Sequence, residues 1–161
     1  MYTYVIIDDE PLIRRGTKKK LEPLSHLLTC CGEASDGREG LELVRQLKPD
    51  IVILDMQMPV MDGTELLPAL SEEFPSTALI VISGFQNFDY MKQSISSKVI
   101  DYILKPFSKD EIQQTVLKTI DSLKDKEAED HHLTSMVQEK EEAFYSLDLK
   151  LLTDFLLGYT D

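Results

Sequence analysis

Short apolar runs alternate with amphipathic stretches through the first two-thirds of the chain, and this alternation limits the fold more than any other feature. The apolar runs predict five strands, over Tyr2–Ile7, 27–34, 50–55, 78–82 and 99–104. Helical stretches follow the strands, at Pro11–Leu21, 36–48, 62–73, 87–97 and from 108 onward. Such alternation favours a parallel sheet with helices on both faces. We therefore predict an α/β fold: a doubly wound, five-stranded parallel sheet with a C-terminal helical extension.

Polar residues mark the points at which the predicted helices begin. Asp36, Asp62 and Ser108 each precede a helical stretch, and each is expected to cap it. Pro68 lies inside the third helix, where it predicts a weaker helix or a kink. The helix that follows Asp36 is expected to carry one apolar face, formed by Leu41, Val44 and Leu47.

The composition changes near residue 123. A densely charged stretch, LKDKEAEDHH, precedes an amphipathic pattern with apolar residues at Leu133, Val137, Phe144, Leu147 and Leu151, interrupted by Lys140. Such a helix packs on its own domain, or forms an intersubunit coiled coil, or connects to a further domain, and the repeat is too short to decide. We expect a first domain over 1–122 and a helical linker or dimerisation segment over 123–161. The apolar stretch LKLLTDFLLGY near the end favours a longer parent protein.

Charge and composition exclude several classes of protein. The formal net charge of −12 repels nucleic acid, so we expect no direct nucleic-acid contact by this chain. No apolar run approaches the ~20 residues that span a bilayer, and no signal-peptide pattern begins the chain, so we expect no membrane contact and a cytoplasmic location. The two cysteines, Cys30 and Cys31, are adjacent and are expected to be small residues of a buried strand rather than a disulfide framework.

Charged and hydroxyl side chains follow four of the predicted strands. Asp8 and Asp9 follow the first strand, Asp55 ends the third, Ser83 follows the fourth and Lys105 the fifth. The carboxyl ends of parallel strands meet at one edge of the sheet, so these side chains are expected to converge. Two unit charges about 4 Å apart repel by roughly 4 kcal/mol at an effective dielectric of about 20, so the carboxylates require a compensating cation. Mg²⁺ is suited to carboxylate oxygens, and Lys105 supplies a further positive charge.

This combination is suited to phosphoryl transfer, in which an aspartate becomes an acyl phosphate. Asp55 is the candidate nucleophile because it ends the most apolar strand, at the centre of the sheet. Calcium is less suitable because no EF-hand loop is present, and zinc because the three histidines lie elsewhere in the sequence. Asp36 and Asp62 are expected to serve as helix caps outside the site, and Glu10 to be exposed or to lie behind the metal ligands.

Four stretches, VIIDDE, PDIVILDMQMPVMDG, VISGF and DYILKPF, occur in this order. Together they resemble the receiver domain of bacterial two-component response regulators, over residues 1–122. The resemblance implies a flavodoxin-like sheet with the strand order 2-1-3-4-5. The resemblance implies that Asp55 accepts a phosphoryl group from a sensor histidine kinase, or from a small acyl phosphate, and that the domain is a phosphoacceptor switch rather than an enzyme. It also implies that Mg²⁺ is held by Asp8, Asp9, Asp55 and the backbone carbonyl of Gln57.

The resemblance further assigns the residues that respond to phosphorylation. Ser83 would hydrogen-bond the phosphoryl group, Lys105 would ion-pair with it, and the Lys105–Pro106 peptide would be cis. Ser83 and Tyr102 would form the switch, with the Tyr102 ring turning inward, although ordinary strand packing also accounts for an aromatic residue there. The surface formed by 87–97, the fifth strand and the following helix would then change its partners.

The stretch SGFQNFDYMKQSI resembles receivers joined to a C-terminal helix-turn-helix module of the AraC type, as in YesN-like regulators. This implies transcription regulation, with DNA contacted through a domain beyond this chain, and a homodimer is expected. Ser83 replaces the threonine that is commoner in the family, which preserves the hydroxyl. Gln57 and Phe85 occupy positions at which the family tunes the lifetime of the phosphoryl group.

Three alternatives remain at the level of sequence. A Mg²⁺-dependent phosphohydrolase of the haloacid dehalogenase type also uses an aspartate nucleophile, but it requires two aspartates two residues apart after the first strand. A flavin- or nucleotide-binding module would carry a glycine-rich loop after strand one, and none is present. A stand-alone receiver that acts only through protein–protein contacts is the third alternative.

Overall fold

The computed structural model describes residues 1–84, 99 and 101–157, and it describes side chains of the C-terminal helix as far as 143 and at 146. The described strands are β1 (Tyr2–Ile7), β2 (Leu28–Ala34), β3 (Ile51–Asp55), β4 (Ala78–Ser83) and β5 (Asp101–Leu104). The described helices are α1 (Pro11–Leu21), α2 (Gly37–Leu47), α3 (Gly63–Glu73) and a C-terminal helix (Lys109–Leu157), with a 3₁₀ turn at Glu22–Leu24. The predicted helix over 87–97 and Phe85 lie outside the described residues.

The five strands form one parallel sheet in the order β2-β1-β3-β4-β5, which confirms the predicted fold class. All five residues of β3 are buried, as expected for a central strand covered on both faces. Alternate residues of β1, β3 and β4 pack with the apolar faces of α2 and α3 in one cluster, which includes Val5, Val52, Val81, Val44 and Leu67. This core holds the carboxyl ends of β1, β3 and β4 side by side.

The predicted helix caps are confirmed. Asp36, Asp62 and Ser108 each accept a hydrogen bond from a backbone N–H in the first turn of the next helix, at 2.8, 2.9 and 3.1 Å respectively. Pro68 lies inside α3, and the helix continues past it to Glu73. The carboxylates of Asp36 and Asp62 are therefore engaged at helix ends.

Other details differ from the sequence-based expectation. β2 begins at Leu28 and β5 at Asp101, later than predicted. Leu47 is 42% exposed rather than part of a buried face, because it is the last residue of α2 and lies over Gly32 in the edge strand β2. Cys30 and Cys31 are free thiols that are only half-buried, since β2 has a neighbouring strand on one side alone.

The chain divides into two compact units, Met1–Ile120 and Asp121–Asp161. In the first unit, the start of the C-terminal helix buries Ile112, Val116 and Ile120. In the second, Leu133, Met136 and Val137 are 59%, 42% and 58% exposed. Within the described ranges, no helix has the length and apolar character needed to cross a lipid bilayer. The predicted role of the second unit, as a linker or dimerisation segment, stays a prediction.

Candidate functional site

Four carboxylates gather where β1 and β3 end, because these two strands are neighbours in the sheet. Asp8, Asp9 and Glu10 follow β1, and Asp55 is the last residue of β3. Each side chain offers one oxygen atom to a group whose members all lie within 4.8 Å of one another. Asp8 and Asp55 are buried, at 3% and 5% exposure, whereas Asp9 and Glu10 are exposed. The cluster therefore has two acids inside the protein and two that face solvent.

Lys105 reaches this cluster from the far edge of the sheet. It follows β5 directly, and its backbone N–H donates to the carbonyl oxygen of Ser83 at 2.8 Å. Its Nζ atom donates to Asp8 Oδ2 at 2.9 Å and to Asp55 Oδ2 at 3.1 Å, and it lies 3.8 Å from Glu10 Oε1. The predicted cis peptide between Lys105 and Pro106 is confirmed. The ammonium group of Lys105 thus connects the end of β5 to acids that follow β1 and end β3.

Burial and charge act against each other in this pocket. Burial raises the pKa of Asp55, and the charge of Asp8 adds to that rise; the Lys105 ammonium opposes it without cancelling it. Burial acting alone would lower the pKa of Lys105, but its hydrogen bond to Asp8 and the charge of Asp55 outweigh burial, so the pKa of Lys105 is raised. Lys105 therefore stays charged, while ionised Asp55 is less favourable than in water.

The remaining predicted residues lie around the cluster at different depths. The backbone N–H of Gln57 donates to Asp55 Oδ1 at 3.4 Å, and its side chain is exposed. Ser83 is the last residue of β4 and is fully buried. Tyr102 lies within β5 and is a half-buried residue packed against the core cluster. Gln57 thus adjoins Asp55 directly, whereas Ser83 lies at the end of the adjacent strand and Tyr102 lies farther back in β5.

The loop between β3 and α3 is held close to Asp55 by a glycine. The backbone N–H of Gly63 donates to the carbonyl oxygen of Met56 at 2.8 Å. A Cβ atom on Gly63 would lie 2.5 Å from Met56 Sδ and 2.7 Å from Met56 Cα, distances that real Cβ atoms do not show. Only glycine therefore permits this approach of α3 to the residue that follows Asp55.

Glu10 is the residue whose position sequence reasoning did not anticipate. It was expected to be exposed or to lie behind the metal ligands, and it is exposed, but its carboxylate belongs to the cluster. It is the N-cap residue of α1, and its N–H donates to Asp8 Oδ1 at 2.9 Å. This bond turns the chain so that three consecutive acids contribute to one site. In the sequence, the only indication that Glu10 joins the site is the run of three acids after the first strand.

The donor set suits a hard dication. All four groups are carboxylates, and Mg²⁺ prefers oxygen ligands and is commonly bound by one or two carboxylates together with water and phosphate oxygens. Asp8 and Asp55 already tolerate a cation at close range, since Lys105 Nζ lies within 3.1 Å of both. The histidines and cysteines of the described residues contribute nothing to this group, which disfavours zinc.

Comparisons with known proteins point to one family. The family model described as "Response regulator receiver domain" matches residues 4–117. Among solved structures, the receiver domain of AraT, a response regulator from Geobacillus stearothermophilus, superposes with a TM-score of 0.73 and 32% identity. That match covers 78% of this chain and 98% of the AraT domain.

Curated relatives include transcriptional regulators. The transcriptional regulatory protein YesN of Bacillus subtilis is 37% identical over 124 residues, which are 77% of this chain and 34% of YesN. The transcriptional regulatory protein HptR of Staphylococcus aureus is 37% identical over 106 residues, which are 66% of this chain and 41% of HptR. The aligned part thus spans about a third to two-fifths of the length of these relatives.

Proposed function

Because the chain belongs to the response regulator receiver domain family and carries the receiver of a two-component response regulator, we propose that it is switched by transfer of a phosphoryl group to Asp55. The observation that carries the proposal is the position of Asp55. It is 5% exposed, lies at the carboxyl end of the central strand and contacts Lys105 Nζ at 3.1 Å. A nucleophile in such a place is held by the sheet and is adjacent to a fixed cation.

The chemistry is a displacement at phosphorus. A carboxylate oxygen of Asp55 forms a bond to the phosphorus atom of a phosphohistidine or an acyl phosphate, and the bond from phosphorus to the donor's nitrogen or oxygen breaks, so that the donor keeps that electron pair. Hydrolysis of the aspartyl phosphate returns the resting state. These two steps are the only reactions that we assign to the domain, and a sensor histidine kinase is the proposed physiological donor.

Positive charge near the transferring group is supplied from two sources. Lys105 is positioned to ion-pair with a phosphoryl oxygen, since its ammonium already contacts Asp55. Asp8, Asp9, Asp55 and the carbonyl of Gln57 would hold Mg²⁺, which when bound neutralises charge on the phosphoryl oxygens. The exposed carboxylate of Glu10 belongs to the same cluster and would add negative charge on its solvent side.

We assign the output to Ser83 and Tyr102. Ser83 is buried at the end of β4 and Tyr102 is half-buried in β5, so a new dianion near Ser83 can bias the packing of both. The similarity to the transcriptional regulatory proteins YesN and HptR supports transcription regulation. We further propose that this regulation is exerted through a DNA-binding domain outside this chain, and that the protein acts in the cytoplasm as a homodimer. This chain's own net charge of −12 argues against direct contact with DNA.

The proposal is tested by intact-mass measurement after incubation with acetyl phosphate and Mg²⁺. The wild-type chain should gain the mass of one phosphoryl group, and Asp55→Asn should gain none. Asp62→Asn is the matched control, because Asp62 ends the loop that follows Asp55 but serves as the cap of α3. Equal labelling of the two variants would contradict the assignment of Asp55.

A further inference from the structure

We propose that helix α1 holds the phosphoacceptor pocket in shape, with Arg14 and Lys20 as positioning residues for Asp8 and Lys105. The inference rests on the proposed function, because it concerns how the same pocket is held in shape. Asp8 follows β1 and Lys105 follows β5, and two strands, β3 and β4, lie between β1 and β5 in the sheet. Arg14 of α1 contacts the main-chain carbonyl of Asp8, and Lys20 of α1 contacts that of Phe107, two residues after Lys105.

Arg14 holds the Asp8 end. Its Nη1 atom donates to the main-chain carbonyl oxygen of Asp8 at 2.6 Å. Its Nε atom lies 3.5 Å from Glu33 Oε1 in β2, and Lys18 of α1 donates to Glu33 Oε2 at 2.8 Å. The guanidinium group is therefore fixed between β2 and the first residue after β1. A planar guanidinium group with several fixed donors is suited to such a bridge.

Lys20 holds the Lys105 end. Its Nζ atom donates to the carbonyl oxygen of Phe107 at 3.0 Å and lies 4.3 Å from the centroid of the Phe107 ring. The carbonyl oxygen of Lys20 accepts a hydrogen bond from Gln113 Nε2 at 2.9 Å. Phe107 is buried and lies two residues after Lys105, so these contacts fix the backbone from which the Lys105 side chain extends.

The two contacts act on the two partners of one ion pair. Lys105 Nζ and Asp8 Oδ2 are 2.9 Å apart, and a displacement of either backbone by about 1 Å would lengthen that contact and move Lys105 relative to Asp55. Misplacement of this size can cost about 10²-fold in rate when positioning supplies the catalysis. Arg14 acts through a proposed metal ligand, whereas Lys20 acts through a group that contacts the phosphoryl oxygens, so their loss should have different kinetic consequences.

The test measures the initial rate of Asp55 labelling by acetyl phosphate against Mg²⁺ concentration, with the full chain. Lys20→Met should lower the rate at saturating Mg²⁺ about five- to tenfold and leave the half-saturating Mg²⁺ concentration within about twofold of wild type. Arg14→Gln should raise the half-saturating concentration about five- to tenfold and change the saturated rate less. Lys20→Arg, which can keep the hydrogen bond and the ring contact, should label at close to the wild-type rate.

Lys19→Met and Arg15→Gln are the matched controls, since each removes one positive charge from an exposed neighbouring position of α1. Both should behave as wild type. The proposal would be overturned if Lys20→Met and Lys19→Met changed the labelling rate equally. It would also be overturned if Lys20→Met and Arg14→Gln changed the saturated rate and the half-saturating Mg²⁺ concentration in the same way. Unfolding of Lys20→Met under conditions in which Lys19→Met stays folded, measured by circular dichroism, would also overturn it. A wild-type chain that is not labelled at all would instead overturn the proposed function.

Discussion

Asp55 is a buried acid whose native environment disfavours its own charge. Burial raises its pKa in the native state, and the nearby ammonium of Lys105 only partly offsets this. Asp55 therefore binds its proton more tightly in the native state than in the unfolded chain. As the pH rises from the unfolded pKa of about 3.9 through the native pKa, ionisation of Asp55 lowers the free energy of unfolding. The cost is complete above the native pKa, and it should be present at neutral pH when no metal ion is bound.

We predict that Asp55→Asn melts at a higher temperature than wild type at pH 7 in EDTA, because the variant no longer has to keep a charged carboxylate buried. The difference should shrink as the pH falls through the native pKa and vanish below about pH 3, well under the unfolded pKa of about 3.9, where the wild-type acid is protonated in both states. Thermal denaturation followed by circular dichroism measures both effects. Asp62→Asn should show no such gain, and an Asp55→Asn protein that melts at or below the wild-type temperature at pH 7 would contradict this account of the pocket.

Residues of the candidate site differ in how far the sequence could predict them. Asp8, Asp9, Asp55 and Lys105 each follow or end a strand, and strand topology alone brings such positions together. The run of three acids after β1 pointed toward Glu10, but its place in the cluster depends on how the chain turns between β1 and α1, which that run does not specify. The contact between Lys20 and Phe107 spans 87 residues of sequence and depends on side-chain packing, which no local pattern encodes.

Two helical glycines differ in the space around them. Gly16 lies inside α1, and a Cβ atom there would have nothing within 4 Å, so its flexibility only weakens the helix. Gly63 begins α3 and lies against Met56, next to Asp55. Substitution by alanine should therefore have opposite effects at these two positions.

We predict that Gly16→Ala raises the free energy of unfolding by about 0.5–1 kcal/mol, through reduced backbone freedom in the unfolded chain. Gly63→Ala should lower it by about 1–3 kcal/mol, because the added methyl group must displace the backbone at Met56. Urea denaturation measures both values. Gly63→Ala should also slow the labelling of Asp55, and a neutral effect at Gly63 would show that the loop after β3 can move away from α3 without cost.

Element boundaries followed the sequence where apolar runs were long and buried on both faces, as in β3 and β4. β2, β3 and β4 each differ from the predicted bounds by one residue at one end, whereas β5, an edge strand with a short buried stretch, begins two residues later than predicted. Leu47 was misplaced because helical periodicity identifies a face but not the point at which the sheet beneath that face ends. The caps at Asp36, Asp62 and Ser108 were predictable, since a polar residue before an amphipathic run has a local physical cause.

At the scale of the whole molecule, the second unit differs from the first because it carries large apolar side chains that are exposed to solvent. Leu133, Met136 and Val137 are exposed on the C-terminal helix, at three- and four-residue spacing. In a protein with a net charge of −12, association would need a local apolar contact of this kind to offset general repulsion. The exposed residues therefore favour the self-association that the sequence left open.

We predict that deletion from Leu123 onward leaves Asp55 labelling intact and weakens self-association, as measured by sedimentation at increasing protein concentration. Val137→Asp in the full chain should weaken association as well, because it places a charge among the apolar residues. Ala128→Asp adds the same charge at an exposed position outside this set and should have little effect. A truncated protein that cannot be labelled would place the domain boundary later than residue 122.

The ion pairs of Lys105 also bear on how the protein matures. The chain provides an internal cation for its most crowded acids, so the fold can assemble and persist without an imported ion, unlike small domains that are unfolded until zinc arrives. Under the proposed function, a dication would compete with this lysine for the carboxylate of Asp8, whose Oδ2 atom lies 2.9 Å from the ammonium group. On the same proposal, a cell short of magnesium would hold the protein folded but unable to accept a phosphoryl group until the ion returned.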